Sequence, residues 1–173
     1  MLAVCVLSLY AGEITERAAK TSDIYQLRKE LAYKADHKVF GSAEIGSATV
    51  YLTVVATPTA VVNNEFVTLT ATNTISFSSG HTALGDGEQC YFGLCVDSAG
   101  AYSTIQGPIV TNANYLKVPM PSTGYTMIGL VKVVADNPGV FTPNTTSVAA
   151  PASATITLTN VHGLPISLDL SRR

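Results

Sequence analysis

The chain has 173 residues, with 10 basic and 12 acidic side chains and a formal net charge of −2. That length holds one domain, with or without an arm, and buries enough surface for a true core. A near-neutral balance supplies no drive toward nucleic acid or an anionic membrane, so neither is expected as a partner. Charged residues are 13% of the chain, about half the usual share, against 47% hydrophobic. Threonine, valine, alanine, serine and glycine dominate the central and C-terminal parts, a β-rich composition rather than a disordered one. A surface so poor in charge suits a chain covered by copies of itself or by a larger assembly.

The charges are unevenly placed. The first forty residues hold 11 of the 22 and the other 133 hold the rest, which divides the chain into residues 1–40 and a β domain over residues 41–173. The opening MLAVCVLSLYAGE has no basic leader and too few apolar residues to span a membrane. Residues 2–10 read as a strand or extended arm that needs a covering surface. Residues 13–38 contain the one helical pattern: Ile24, Leu27, Leu31 and Ala35 recur at three- and four-residue steps. Ser22 or Thr21 serves as the cap, Asp23 lies in the first turn, and Glu30 and Lys34 form an i,i+4 pair. This helix either packs across its own sheet or bridges subunits; its stripe is too short to specify a coiled coil.

From residue 40 the pattern is β. Residues 40–47 are expected to be a joint, residues 48–56 a strand, and Val61 and Val62 a short strand before the Asn63–Asn64 turn. Phe66, Leu69 and Ala71 mark the next strand. Thr72 and Asn73 are expected to turn it into a hairpin with residues 74–78, placing Ile75 and Phe77 on one face. Residues 79–88 are loop. Gln89–Asp97 is a strong strand, turned at Ser98, Ala99 and Gly100 into a return strand over residues 101–105. A short strand is expected at residues 115–118 within a proline-rich stretch. Tyr125–Ala135 is the longest run of strand formers, bounded by turn sequence, and its alternation sets Met127, Gly129, Val131 and Val133 on one face. Residues 140–142 are short and extended. Residues 153–160 alternate with Ala154, Ile156 and Leu158 inward, and a last strand, ISLDL, follows. Nine or ten short strands between glycine and proline turns predict an antiparallel β-sandwich or jelly roll, or a small barrel, with the apolar arm and one α-helix attached.

No catalytic constellation stands out. His37 ends the helix, and His162 precedes a turn. His81 lies in a glycine loop near Asp86 and Glu88, which is thin support for a metal and more in keeping with a solvated loop. A dyad of His81 with Cys90 or Ser79 lacks an orienting third group, and there is no nucleophile elbow. Asp86, Glu88 and Asp97 are the only clustered acids for paired-carboxylate chemistry. No enzyme activity, cofactor or metal is expected. Three cysteines, Cys5, Cys90 and Cys95, exclude a fully paired intrachain set. Cys90 and Cys95 fall on opposite faces of one strand and read as free buried thiols made in a reducing compartment. Tyr91, Tyr102, Tyr115 and Tyr125 fall near strand ends, as rim filler or as sugar-stacking groups. Asn144, Thr145 and Thr146 match a glycosylation sequon, which matters only in a secreted eukaryotic chain.

The stretches YFGLCVDSAGAYS, VPMPSTGYTMIGLVKVV and PGVFTPNTTSV together resemble the β modules of tailed-bacteriophage virion proteins, over about residues 89–168. Asn144 stands where a glycine is usual there. Such modules occur in head decoration (cement) proteins and in tail or fibre proteins, and the resemblance carries over no catalytic residues. It implies a structural virion protein made in the host cytoplasm. That protein would bind between major capsid subunits as a homo-oligomer and stabilise the head. The alternative is a tail or fibre component whose β module binds a host surface or carbohydrate. A secreted carbohydrate-binding module is a third reading, opposed by the odd cysteine count. Docking is expected through Val4, Val6, Leu9, Ile24, Leu27 and Leu31, or through the loops of the β domain.

Overall fold

A computed structural model describes residues 39–136 and 138–161. Ten strands are present among them: β1 (Val39–Phe40), β2 (Ile45–Ala48), β3 (Tyr51–Val54), β4 (Thr59–Val62), β5 (Glu65–Thr68), β6 (Thr72–Ile75), β7 (Gln89–Asp97), β8 (Tyr102–Gln106), β9 (Tyr125–Ala135) and β10 (Ala154–Asn160). All pair antiparallel, in three open sheets ordered β1-β4-β5, β2-β3-β6 and β10-β9-β7-β8. The described residues close no barrel and contain no α-helix, only a 3₁₀ turn at Ala113–Tyr115. The expected arm and helix lie outside the described residues, and with them Val4, Val6, Leu9, Ile24, Leu27 and Leu31. Cys5, His37, His162 and the ISLDL segment lie outside them too.

The four-stranded sheet is the largest, and its two longest strands, β7 and β9, lie side by side at its centre. Their side chains are β-branched or bulky, which suits a covered pleated surface. Cys90, Phe92, Leu94 and Val96 of β7 join Val131 and Val133 of β9 in one buried cluster with Leu52 and Val54 of β3 and Ala60 and Val62 of β4. Each fully buried Leu or Phe contributes about 2–3 kcal/mol from area alone. On β10 the alternation holds: Ala154 is buried, Ile156 and Leu158 pack against the cluster, and Thr155, Thr157 and Thr159 face water.

β9 departs from strict alternation at one place. Gly129 opposes Leu94 and Met127 opposes Cys95, so Ile128 is an extra residue, a bulge. Beyond it the faces exchange. Ile128 turns into the main cluster, while Met127 crosses to the other face, its Cε 2.7 Å from where a Cβ on Gly93 would be. The expectation that Met127 shares a face with Gly129, Val131 and Val133 is therefore corrected.

Three further expectations change. Residues 48–56 are not one strand, and residues 40–47 are not merely a joint: β2 and β3 form a hairpin that turns at Thr49 and Val50, with Ala48 opposite Tyr51. Thr49 sits at φ 53 without being glycine or asparagine. Its carbonyl accepts from the N–H of Val148 at 2.6 Å and of Ala149 at 3.2 Å, so a distant loop holds this turn. Second, Thr72 and Asn73 do not turn a hairpin: they begin β6, which pairs with β3, while β5 pairs with β4 in another sheet. Leu69 N–H donates to Pro58 at 2.8 Å and Tyr102 Oη donates to the Thr70 carbonyl at 2.6 Å, which fixes the crossing between sheets. Ile75 and Phe77 are nonetheless both buried, as expected. Third, residues 115–118 form no strand; Asn112 caps the 3₁₀ turn there.

Candidate functional site

The loop after β6 carries the side chains with the most chemical potential, and its anchoring explains where they point. Phe77 is held at both main-chain groups by one side chain: its N–H donates to Asn144 Oδ1 at 2.7 Å, and Asn144 Nδ2 donates to its carbonyl at 2.8 Å. From there the loop runs along the outer rim of β8, which among the described residues pairs with β7 alone. Ser78 N–H donates to Thr104 Oγ1 and Thr104 N–H donates to Ser78 Oγ, both at 2.8 Å. Thr82 N–H donates to Gln106 Oε1 and Gln106 Nε2 donates to the Thr82 carbonyl, both at 2.7 Å. These reciprocal pairs stand where a neighbouring strand would be and close that rim.

His81 belongs to this seal. Its Nε2 is hydrogen-bonded to Thr104 Oγ1 at 2.8 Å, and its ring lies 5.3 Å from Phe92 and 6.5 Å from Phe77 between centroids. Burial lowers its pKa from the usual histidine value, opposed in part by hydrogen bonding at Thr104. The hydroxyl it holds is that of buried Thr104, not of exposed Ser79. Cys90 is fully buried, with Gln106 Nε2 3.9 Å from its sulfur, and burial pushes its thiol up to about 11. A thiol held neutral is a poor nucleophile. Cys95 is also buried, outside the main cluster, its thiol pushed up to about 12. Both are free, on opposite faces of β7 as the spacing predicts.

The acids near His81 in sequence are used by the loops themselves. Glu88 Oε2 accepts from Gly85 N–H at 2.7 Å, Asp86 Oδ1 from Gly139 N–H at 2.8 Å, and Asp97 Oδ1 from Ala99 and Ala101 at 2.9 Å each. Among the described residues no three His, Cys, Asp or Glu side chains are grouped to hold a metal ion. The sequon asparagine is likewise engaged, its Nδ2 committed to Phe77. Sequence reasoning singled out His81 but missed Thr104, Ser78 and Gln106, because their partners lie 23 to 26 residues away.

A second feature lies on the outside of the β1-β4-β5 sheet. Val39, Ala60 and Val67 align across it and are buried; Phe40, Thr59 and Thr68 align on the opposite face, with Phe66 opposite Val61. Phe40 is 48% exposed and Phe66 40%. They belong to the two outer strands, about 10 Å apart as backbones, yet their ring centroids are 6.2 Å apart. The rings therefore converge over β4, where Val61 is fully buried. Of the four tyrosines near strand ends, Tyr102 is tied to Thr70, whereas Tyr115 stands 66% exposed, and Met120, five residues on, is exposed too. Among the described residues, what faces solvent here is apolar contact surface rather than converging polar groups.

No protein-family model matches the chain, and neither a curated protein nor a solved structure is significantly similar to it.

Proposed function

We propose that this chain is a structural virion protein, a head decoration protein that sits on the capsid surface and stabilises the shell through its β domain. The finer architecture we assign is a β-sandwich of the β2-β3-β6 and β10-β9-β7-β8 sheets, with the N-terminal arm and helix as docking devices. The single observation that carries an assembly role is the Phe40–Phe66 pair: two large aromatic side chains, both more than a third exposed, their rings tilted against each other on the outside of a sheet. Aromatic side chains placed this way are the usual anchors of protein contacts. The low charge of the whole chain and the resemblance of residues 89–168 to phage β modules support the same reading.

Size-exclusion chromatography with light scattering on the full chain tests it. An oligomer that F40S/F66S converts to smaller species is the expected result, and a full-length monomer at working concentration overturns the assembly role. The tail or fibre reading is favoured by exposed Tyr115 and Met120 on one loop. A major capsid gene beside this one supports the head, and a tail gene supports the fibre.

A further inference from the structure

Two main-chain hydrogen bonds fix which way β10 faces. Asp136 N–H donates to the Ser153 carbonyl at 3.0 Å, and Val161 N–H donates to the Ile128 carbonyl at 3.1 Å. In an antiparallel pair, residues that exchange hydrogen bonds alternate with residues that do not. In the register of β10 with β9, Thr155, Thr157 and Thr159 are then the bonded residues. The N–H and C=O groups of Ile156, Leu158 and Asn160 point away from β9. β10 ends its sheet, and among the described residues these groups have no main-chain partner. The two margins of the sheet differ. Along β8 the outward N–H of Thr104 donates to Ser78 Oγ at 2.8 Å, part of the side-chain seal. β10, ATITLTN, has no charge and no proline, and its register with β9 is unbroken. Charge, proline and bulges are the devices that keep a margin from pairing. Ile156 and Leu158 pack against the main cluster yet stay only half-buried. Open main-chain groups and half-covered aliphatic side chains thus lie together on one margin.

We infer that β10 pairs antiparallel with β10 of a second copy of this chain, about a two-fold axis at Thr157. The strand is complementary to itself. In that register Ile156 of each copy lies opposite Leu158 of the other, and each such pair exchanges both of its main-chain hydrogen bonds. Each half-buried aliphatic side chain meets an apolar one, while Thr157 faces Thr157 and Thr155 faces Thr159 on the side toward water. Charge does not oppose the pairing. β9 brings one charged residue, Lys132, opposite Thr157. The lysines of the two copies would stand three strand spacings, about 14 Å, apart, where physiological salt screens them. The joined sheet ends on the sealed β8 at both sides, so this mode of pairing closes at two copies. The contact is an edge, smaller than the roughly 800 Å² per partner of a standard interface. The dimer is accordingly weak by itself and gains wherever an assembly holds copies side by side. It uses a different sheet from the Phe40–Phe66 pair, leaves that pair uncovered, and does not depend on the virion reading.

Disulfide trapping on the full chain tests it. Thr155, Thr157 and Thr159 are exposed, and Cys90 and Cys95 are buried, so in a C5S background the introduced cysteine is the reactive one. In the proposed register the Cα atoms of the two copies are about 4.5 Å apart at position 157, within disulfide reach. At position 155 they are about 14 Å apart, beyond it. Under mild oxidation C5S/T157C is expected to give a linked dimer at least about tenfold faster than C5S/T155C, and a mixture of C5S/T155C with C5S/T159C should link the two positions. Equal rates at 157 and 155, or no link at 157, overturn the pairing. The link at 157 should persist when F40S/F66S is added; its loss there would show that the aromatic pair, and not β10, brings the copies together, and would overturn the inference. In the natural chain the Ile156 and Leu158 amides should exchange more slowly as protein concentration rises, and T157K, which sets lysine against lysine on the axis, should abolish that slowing with β9 amides still protected. Exchange at Ile156 and Leu158 that is independent of concentration also overturns it.

Discussion

Ile45 fills the space that a side chain at Gly129 would need: a Cβ built there would stand 2.5 Å from Ile45 Cδ1 and 3.0 Å from its Cγ2. Ile45 belongs to β2 and Gly129 to β9, so the absence of a side chain on one sheet sets how closely the other approaches. Gly129→Ala is expected to destabilise the protein by about 1–3 kcal/mol, read as a lower urea midpoint at unchanged slope. Ile45→Val removes the nearest atom and should cost less in the Gly129→Ala background than alone. Additive costs in that double-mutant cycle would count against the contact.

Asn144 satisfies both main-chain groups of Phe77 while sitting at φ 62. Asn144→Ala loses both hydrogen bonds and places an alanine in the left-handed region, for an expected loss of about 2–3 kcal/mol. Asn144→Gly loses the bonds but suits the backbone, so its cost should be about 1 kcal/mol. The ranking, alanine worse than glycine, is what thermal or urea unfolding should return. The reverse order would show that the turn, and not the side chain, is dispensable.

Thr104 is the hub of the β8 rim, serving Ser78 and His81 from a buried position. Thr104→Val keeps the shape and strands the Ser78 N–H, for an expected cost of about 1–3 kcal/mol. The same hub makes the rim acid-sensitive. Burial lowers the His81 pKa below the usual 6.5, so on acidification the unfolded chain takes up a proton that the folded chain resists. Stability therefore falls as pH drops below 6.5 and keeps falling until the folded imidazole protonates. An NMR titration should place His81 below 6.5, and His81→Asn should lessen the loss of stability between pH 7 and pH 5.

The two described thiols predict a limit on the alkaline side. Cys90 is pushed up to about 11 and Cys95 to about 12 from an ordinary 9.0. Above pH 9 the unfolded chain releases protons that the folded chain retains, so stability declines from pH 9 up to those values. Urea midpoints at pH 8 and pH 10 should differ more in the natural chain than in C90A/C95A. In native protein at pH 8 a thiol reagent should leave both unmodified, and unfolding should expose both.

How much of this was legible in the sequence depends on whether the deciding contact is local. β7, its turn to β8, β9 and β10 follow from alternation between glycine and proline punctuation, and the observed bounds of β7 and β9 match those read from the residues. The Thr49 turn was not legible, because no residue there favours positive φ and the carbonyl is held by Val148 and Ala149. The separation of β5 from β6 escaped for the same reason: the sequence between them carries hairpin signals, and their sheets are chosen by Pro58 and Tyr102. The bulge at Ile128 leaves no mark in an apolar run, since residues on both faces of β9 are hydrophobic. Of the candidate site residues, His81 was legible by its chemistry, whereas Phe40 fell in an expected joint and Phe66 in an expected strand, and only their register placed both on the outer face.

β9 holds the stretch of the described chain richest in strand-forming apolar residues, and it runs between β7 and β10 with both of its rims hydrogen-bonded. An aggregating partner could reach that stretch only after β10 or β7 had peeled away, and β7 is itself backed by the sealed β8. Pairing of that stretch with another chain is thereby coupled to dismantling this sheet rather than to fraying at its margin.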